Sequence, residues 1–311
     1  MDTVRYIRKI GDYSALVMFS HSIFSASFAI AAAFFAAGMN RVPVTGAGDG
    51  GSSLGISRLP GFYQFFWIMT AFIGARTFAN ALNRIIDRKI DAENSRTASR
   101  HIPTGAVSLF EASAVAFVFF ALFILGASML PSICLRLVPF AGIMMVLYSY
   151  AKRFTWLCHF FLGAVCSFAS FGGWLGITGA FQWQMLPLAL ANGAWVTGFD
   201  IIYSVQDMDH DRKAGLYSVP ARFGRKAAFA AAVFLHLFSF AALVIQGAVM
   251  NSGIIYFAGV AVIGVLFVFQ HAHTLRTAFG NVNFASYNVN RFVGIVLIFA
   301  AAGDAFHRFL L

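Results

Sequence analysis

The sequence predicts an all-α polytopic membrane protein of nine transmembrane helices, and three observations carry that class. The chain of 311 residues is 59% hydrophobic and only 11% charged, whereas a soluble domain carries about 25% charged residues. Apolar runs of about 20 residues, the length that crosses a bilayer as a helix, recur from end to end without the two-residue alternation of a membrane β-barrel. Lysine and arginine concentrate in alternate connections between those runs, which is the signature of a fixed orientation in the membrane.

In order, the spans read as residues 14–38, 61–86, 108–130, 134–150, 158–180, 184–206, 228–249, 253–275 and 286–309. Residues 1–13 are polar and basic, and the first apolar run is long enough to span, so no cleavable signal peptide is expected. Residues 40–60 are Gly/Ser-rich and read as an external loop. Residues 87–107 and 207–227 are long, charged and rich in Asp, while the other connections are short enough to make their neighbours antiparallel. With the N-terminus in the cytoplasm, that side holds Arg5, Arg8, Lys9, Arg88, Lys89, Arg96, Arg100, Lys152, Arg153, Arg212, Lys213, Arg222, Arg225, Lys226 and Arg276. Only Arg41, Arg58, Arg136 and Arg308 fall on the other side. The net charge of +10 therefore reads as topology determinants and anion ligands, not as a nucleic-acid surface. Cys134, Cys158 and Cys166 lie in or beside apolar segments without metal-ligand spacing and read as buried thiols.

Two polar islands interrupt this pattern. In the first, residues 83–105, Asn83, Asp87 and Asp91 recur every four residues and share one helical face, with Arg76 and Asn80 upstream on the same stripe. In the second, residues 200–215, Asp200, Tyr203, Asp207 and Asp211 also share a face, while Asp209 points away and is expected in solvent. Each island is an acid ladder at a span end followed by a basic loop closing on Gly105 or Gly215, a pairing consistent with a weak internal repeat. Facing carboxylate ladders repel unless protonated or bridged by a hard cation. Oxygen donors without His or Cys suit Mg²⁺, which keeps open positions for substrate phosphates. The cations beside the ladders, Arg96 and Arg100, Lys152 and Arg153, and Arg212 and Lys213, complete the pattern of a diphosphate site. The blander alternatives are solvated helix ends for the acids and membrane anchoring for the bases. An ion-coupled transporter is a rival class, but its acids belong near the bilayer midplane and these lie at one membrane face. Elsewhere, His21 reads as a packing or acceptor-binding residue, His271 and His273 as interface residues, and Asp304 as reaching the outer interface.

These motifs together resemble the UbiA superfamily of intramembrane prenyltransferases, whose first motif has the form N-x-x-x-D-x-x-x-D and whose second has aspartates four apart. Here they stand as Asn83–Asp87–Asp91 and Asp207–Asp211, supported by the segments 19–29, 96–105, 148–155 and 215–224. The sequence departs from many members at Arg84, where Asp is common, and at Ser25-Ala26-Ser27, where Leu-Pro is familiar. The Arg84 form is similar to a bacterial subgroup associated with futalosine-route menaquinone. The resemblance implies one domain over residues 1–311, its helices around a central cavity open to a cytoplasmic cap, in the bacterial inner (cell) membrane with the active site toward the cytoplasm. It implies Mg²⁺-dependent transfer of a polyprenyl group from a polyprenyl diphosphate to an aromatic acid, hydroxybenzoate-like or naphthoate-type, in respiratory quinone biosynthesis, with the polyprenyl tail running into membrane lipid. On this reading Asn83, Asp87, Asp91, Asp207 and Asp211 hold the metal, and Arg96, Arg100, Lys152 and Arg153 bind the diphosphate. Asp200 and Tyr203 orient the acceptor, and nucleic acid is not a partner.

Overall fold

The computed structural model describes residues 11, 13, 16, 26–39, 59–282 and 288–310. Among them the regular structure is entirely helical: α1 (Ser27–Met39), α2 (Phe62–Glu93), α3 (Leu109–Ser128), α4 (Ser132–Ala151), α5 (Cys158–Thr178), α6 (Leu186–Ser204), α7 (Met208–Lys213), α8 (Val219–Val249), α9 (Ile254–Arg276) and α10 (Asn290–Leu310). Eight of the helical stretches are long and apolar enough to cross a membrane, with α6 and α7 counted as one. The shorter apolar α1 lies where the first of the nine expected spans was placed. His21, most of the 19–29 segment and most of the 40–60 loop lie outside the described residues.

Consecutive helices pack on one another, α10 returns to α1, and α1 also lies against α5, so the bundle closes around an interior. Short connections and local caps set this order. Ser108 and Glu111 form a reciprocal capping box that starts α3, and Ser218 caps α8. Small residues bring the helices close. A Cβ on Gly74 of α2 would lie 2.5 Å from the Phe123 backbone nitrogen of α3, and one on Gly126 of α3 would meet the Ala71 backbone of α2 just as tightly. A hydrophobic core gathers Phe28 and Phe35, Trp174, Trp195, Leu243, Tyr256 and Leu297. Outward-facing Phe110, Phe117, Phe234, Val268 and Phe299 stay exposed, as lipid-facing residues should.

The structure departs from the sequence reading in three places. First, α2 runs on to Glu93, past the span end placed at residue 86, and so carries Asp87 and Asp91 on the helix that their four-residue spacing predicts. Second, α6 tightens into a 3₁₀ turn at Val205–Asp207 before α7, so the second ladder is not a single α-helical face. Third, Asp304 is wholly buried: it accepts a hydrogen bond from the Gly253 backbone N–H at 2.7 Å and pairs with Arg308 at 2.9 Å.

Candidate functional site

A cavity of about 410 Å³ opens between α2, α4, α5 and α6, and both polar islands face it. Its walls carry Asn83, Asp87, Asp91, Arg96, Arg100, Lys152, Asp200, Tyr203, Asp207 and Asp211. Its other reach is apolar, lined by Phe72, Phe123, Leu137, Leu162, Phe168 and Phe171. The 3₁₀ turn leaves the ladder intact in space: Asp200, Tyr203, Asp207 and Asp211 all line this one chamber. Asp209 is exposed, as its position in the sequence predicts. Arg153 is the exception among the predicted site residues. It stands behind the wall, bonded to the Ser149 and Ile86 carbonyls and stacked over Tyr150, and reaches the cavity only through Asp87.

Acids and bases pair across the chamber, and Asp91 also has Arg84 at 4.0 Å as a second, more distant base. Arg96 grips Asp207 with two bonds, Nη2 to Oδ2 at 2.6 Å and Nε to Oδ1 at 2.8 Å, and gives a third to the Tyr203 hydroxyl at 2.8 Å. Arg100 pairs with Asp91 at 2.5 Å, Arg153 with Asp87 at 2.9 Å, and Lys152 with Asp211 at 2.8 Å. Burial works against the Lys152 ammonium, but Asp211 beside it and Asp207 beyond outweigh that penalty and hold the lysine above its ordinary value. The left-handed glycines Gly105 (φ 76°) and Gly215 (φ 66°) end the two basic tracts and turn the chain into α3 and toward α8.

Three of the residues that complete the site were not singled out in the sequence. Asn94 donates to Asp207 Oδ1 at 2.8 Å; it lies three residues past Asp91, so the stripe Asn83, Asp87, Asp91 could have been extended to it. Ser218 donates to Asp211 Oδ2 at 2.9 Å. His159 sets its Nδ1 2.6 Å from Asp200 Oδ2. The latter two partners are far apart in sequence or on another helix, and no local spacing marks them.

The donor set is compatible with a hard cation. The ladders offer oxygen only. Asn83 uses its amide nitrogen on Asp87 at 2.8 Å, which leaves its carbonyl oxygen for another ligand. Asp91 Oδ2 is buried without a hydrogen-bond partner. Among the described residues, however, no three His, Cys, Asp or Glu side chains converge on one metal-binding point. Each carboxylate instead holds its basic partner.

Comparison with known proteins agrees with this architecture. A model of the UbiA prenyltransferase family matches residues 43–290. The chain is 32% identical over 225 residues to a 4-hydroxybenzoate octaprenyltransferase of Vibrio campbellii, covering 72% of this chain and 78% of that one. It is 31% identical over 260 residues to the enzyme of the same name from Salmonella paratyphi B, covering 80% and 86%. An apo UbiA homolog from Aeropyrum pernix K1 superposes with a TM-score of 0.77 at 30% identity, covering 94% of this chain and 98% of the other. A UbiA homolog from Archaeoglobus fulgidus bound to GPP and Mg²⁺ shares the fold, with a TM-score of 0.70 at 18% identity, covering 96% and 100%.

Proposed function

The chain belongs to the UbiA prenyltransferase family, and from that premise we propose that this integral multi-pass membrane prenyltransferase moves a polyprenyl group from its diphosphate to a hydroxybenzoate-like aromatic acid. The observation that supports this most is the pairing of carboxylates with basic side chains at the polar end of an otherwise apolar cavity. Such a chamber matches a substrate with a charged diphosphate head and a hydrocarbon tail. We assign the metal ligands to Asn83, Asp87, Asp91, Asp207 and Asp211. Bound there, Mg²⁺ would neutralise the diphosphate and favour its departure. Arg96, Arg100 and Lys152, exchanging their carboxylates for phosphate oxygens, stabilise the charge that grows on the leaving group. Arg153 keeps Asp87 in place from behind the wall. The apolar reach excludes water from the allylic cation, and its Phe faces stabilise the charge. Asp200 and Tyr203 orient the aromatic ring that attacks.

The same reading takes residues 1–311 as one domain, in the bacterial inner membrane with the polar end toward the cytoplasm, working in respiratory quinone biosynthesis. A naphthoate-type acceptor is the second reading, favoured by Arg84 on the cavity wall where many relatives carry Asp. The test is incorporation of radiolabelled polyprenyl diphosphate by the detergent-purified protein with Mg²⁺ and with EDTA. A panel of hydroxybenzoate and naphthoate acceptors is used, with products read by mass spectrometry. Mg²⁺-dependent transfer to a hydroxybenzoate is expected. Transfer to naphthoates alone would replace the first reading by the second, and no transfer to any aromatic acid would overturn both.

A further inference from the structure

His159 occupies the first turn of α5 and is buried, 3% exposed, between three elements. Its Nε2 receives the backbone N–H of Val219, the first residue of α8, at 3.3 Å. A backbone N–H can only donate, so Nε2 is the accepting nitrogen of a neutral ring and the proton sits on Nδ1. The Ser204 hydroxyl also approaches Nε2, at 3.5 Å, but it gives its own proton to the Ile201 carbonyl at 2.9 Å, and the shorter Val219 contact, which can only donate, sets the tautomer. Nδ1–H then donates to Asp200 Oδ2 at 2.6 Å. Asp200 sits on the cavity wall with 25% of its side chain exposed, and among the described residues its hydrogen bond to His159 engages one oxygen, Oδ2, and not the other. The result is one carboxylate oxygen locked from behind and one presented to the chamber.

We infer that His159 is a positioning residue for prenyl transfer: it fixes the Asp200 carboxylate so that Oδ1 accepts a hydrogen bond from a hydroxyl on the aromatic acceptor. The inference rests on the proposed aromatic acceptor and narrows its class to rings that carry an O–H donor near the reacting carbon. A carboxylate that accepts such a bond raises the electron density of the ring when the C–C bond to the prenyl carbon forms; the departing diphosphate takes the electron pair of the broken C–O bond, and the proton released from the substituted ring carbon leaves with that diphosphate as aromaticity returns. A carboxylate free to rotate would share that bond with water and with the basic groups of the chamber. In metal sites, loss of the partner that orients a ligand changes affinity or activity about ten- to a hundredfold, and an effect of that order is expected here.

The experiment compares wild type, His159→Leu and His159→Asn, each checked for a single size-exclusion peak in detergent. The Asn amide nitrogen stands near the place of Nδ1–H. Steady-state transfer is measured with 4-hydroxybenzoate and with its methyl ether, which keeps the ring but cannot donate. His159→Leu is expected to lower kcat/KM for the hydroxylated acceptor about ten- to a hundredfold while KM for the prenyl diphosphate stays within about twofold. His159→Asn should recover most of that loss, and the difference between wild type and His159→Leu should vanish with the methyl ether. Equal losses with both acceptors, a parallel rise in prenyl diphosphate KM, no rescue by Asn, or failure of both variants to fold would assign His159 a purely structural role and overturn the inference. Absence of transfer by the wild type would instead refute the aromatic-acceptor reading on which it stands.

Discussion

Replacing Asp207 by Asn separates the site's chemistry from its architecture. Asp207 accepts three hydrogen bonds, two from Arg96 and one from Asn94. The amide oxygen of Asn can still receive Arg96 Nε and Asn94 Nδ2, so the loss is confined to the Nη2 bond at Oδ2, where two donors would then face each other. A hydrogen bond to a charged group contributes about 1.5–3 kcal/mol. Arg96 is 28% exposed, so water takes up part of its unmet valence and the net cost to the fold is about 1–2 kcal/mol. Transfer should suffer more. The substitution removes one unit of negative charge from the proposed metal site and leaves Arg96 without its carboxylate. Loss of one preorganised electrostatic contribution lowers turnover about 10²–10³-fold, or about 3–4 kcal/mol. The assay pairs a thermal melt in detergent, where a shift of a few degrees is expected, with radiolabelled prenyl transfer at saturating Mg²⁺. An Arg96→Gln/Asp207→Asn double variant should regain stability without regaining activity. Asp207→Asn turning over within threefold of wild type would refute the reasoning, because it would mean that the ladder's charge does no chemistry.

Further outcomes follow from the same geometry. Asp209→Asn, at an exposed position away from the cavity, should keep transfer within about twofold of wild type, since surface substitutions rarely exceed about 0.5 kcal/mol. Ser218→Ala removes a hydrogen bond to Asp211 and the cap of α8; a melt should show a loss of about 1–2 kcal/mol, with activity reduced less than by Asp211→Asn. Gly74→Leu drives a side chain into the Phe123 backbone, and overpacking of about 1–3 kcal/mol should appear as a lower melting temperature and an altered α2 position, measurable by disulfide trapping between α2 and α3. Binding of a non-hydrolysable prenyl diphosphate should tighten at least about tenfold when Mg²⁺ is added, and calorimetry showing equal affinity with EDTA would contradict the proposed metal ligands.

Much of this was legible in the sequence because a polar side chain in a greasy chain needs a reason. Asn83, Asp87 and Asp91 stood out by spacing alone, and so did Asp200, Tyr203, Asp207 and Asp211, and the structure brings both groups to one cavity. The partners that complete them were harder to see. Asn94 sits on the same stripe and was available to the argument, but Ser218 and His159 depend on α8 and α5 folding back against α6 and α7, which no local period encodes. Asp304 was misplaced for the same reason: its partner Gly253 lies on a distant turn. The 3₁₀ turn at Val205–Asp207 was equally hidden, since none of its residues is a strong breaker of helices.

The pairing also bears on how the proposed groups divide their work. The residues read as metal ligands and those read as diphosphate binders hold one another: Asp207 with Arg96, Asp91 with Arg100, Asp211 with Lys152. A buried carboxylate stripped of its cation is costly, and so is a buried cation stripped of its carboxylate. Neither set can turn to its own ligand while the other keeps its partner. A divalent cation arriving alone would leave the bases unmatched, and a diphosphate arriving alone would leave the acids unmatched. Arriving together, they replace each internal pair by two external ones and keep the chamber near neutrality. Closed on itself in this way, the polar end is stable beside a hydrocarbon cavity, and the same charges remain poised for a substrate that brings both signs.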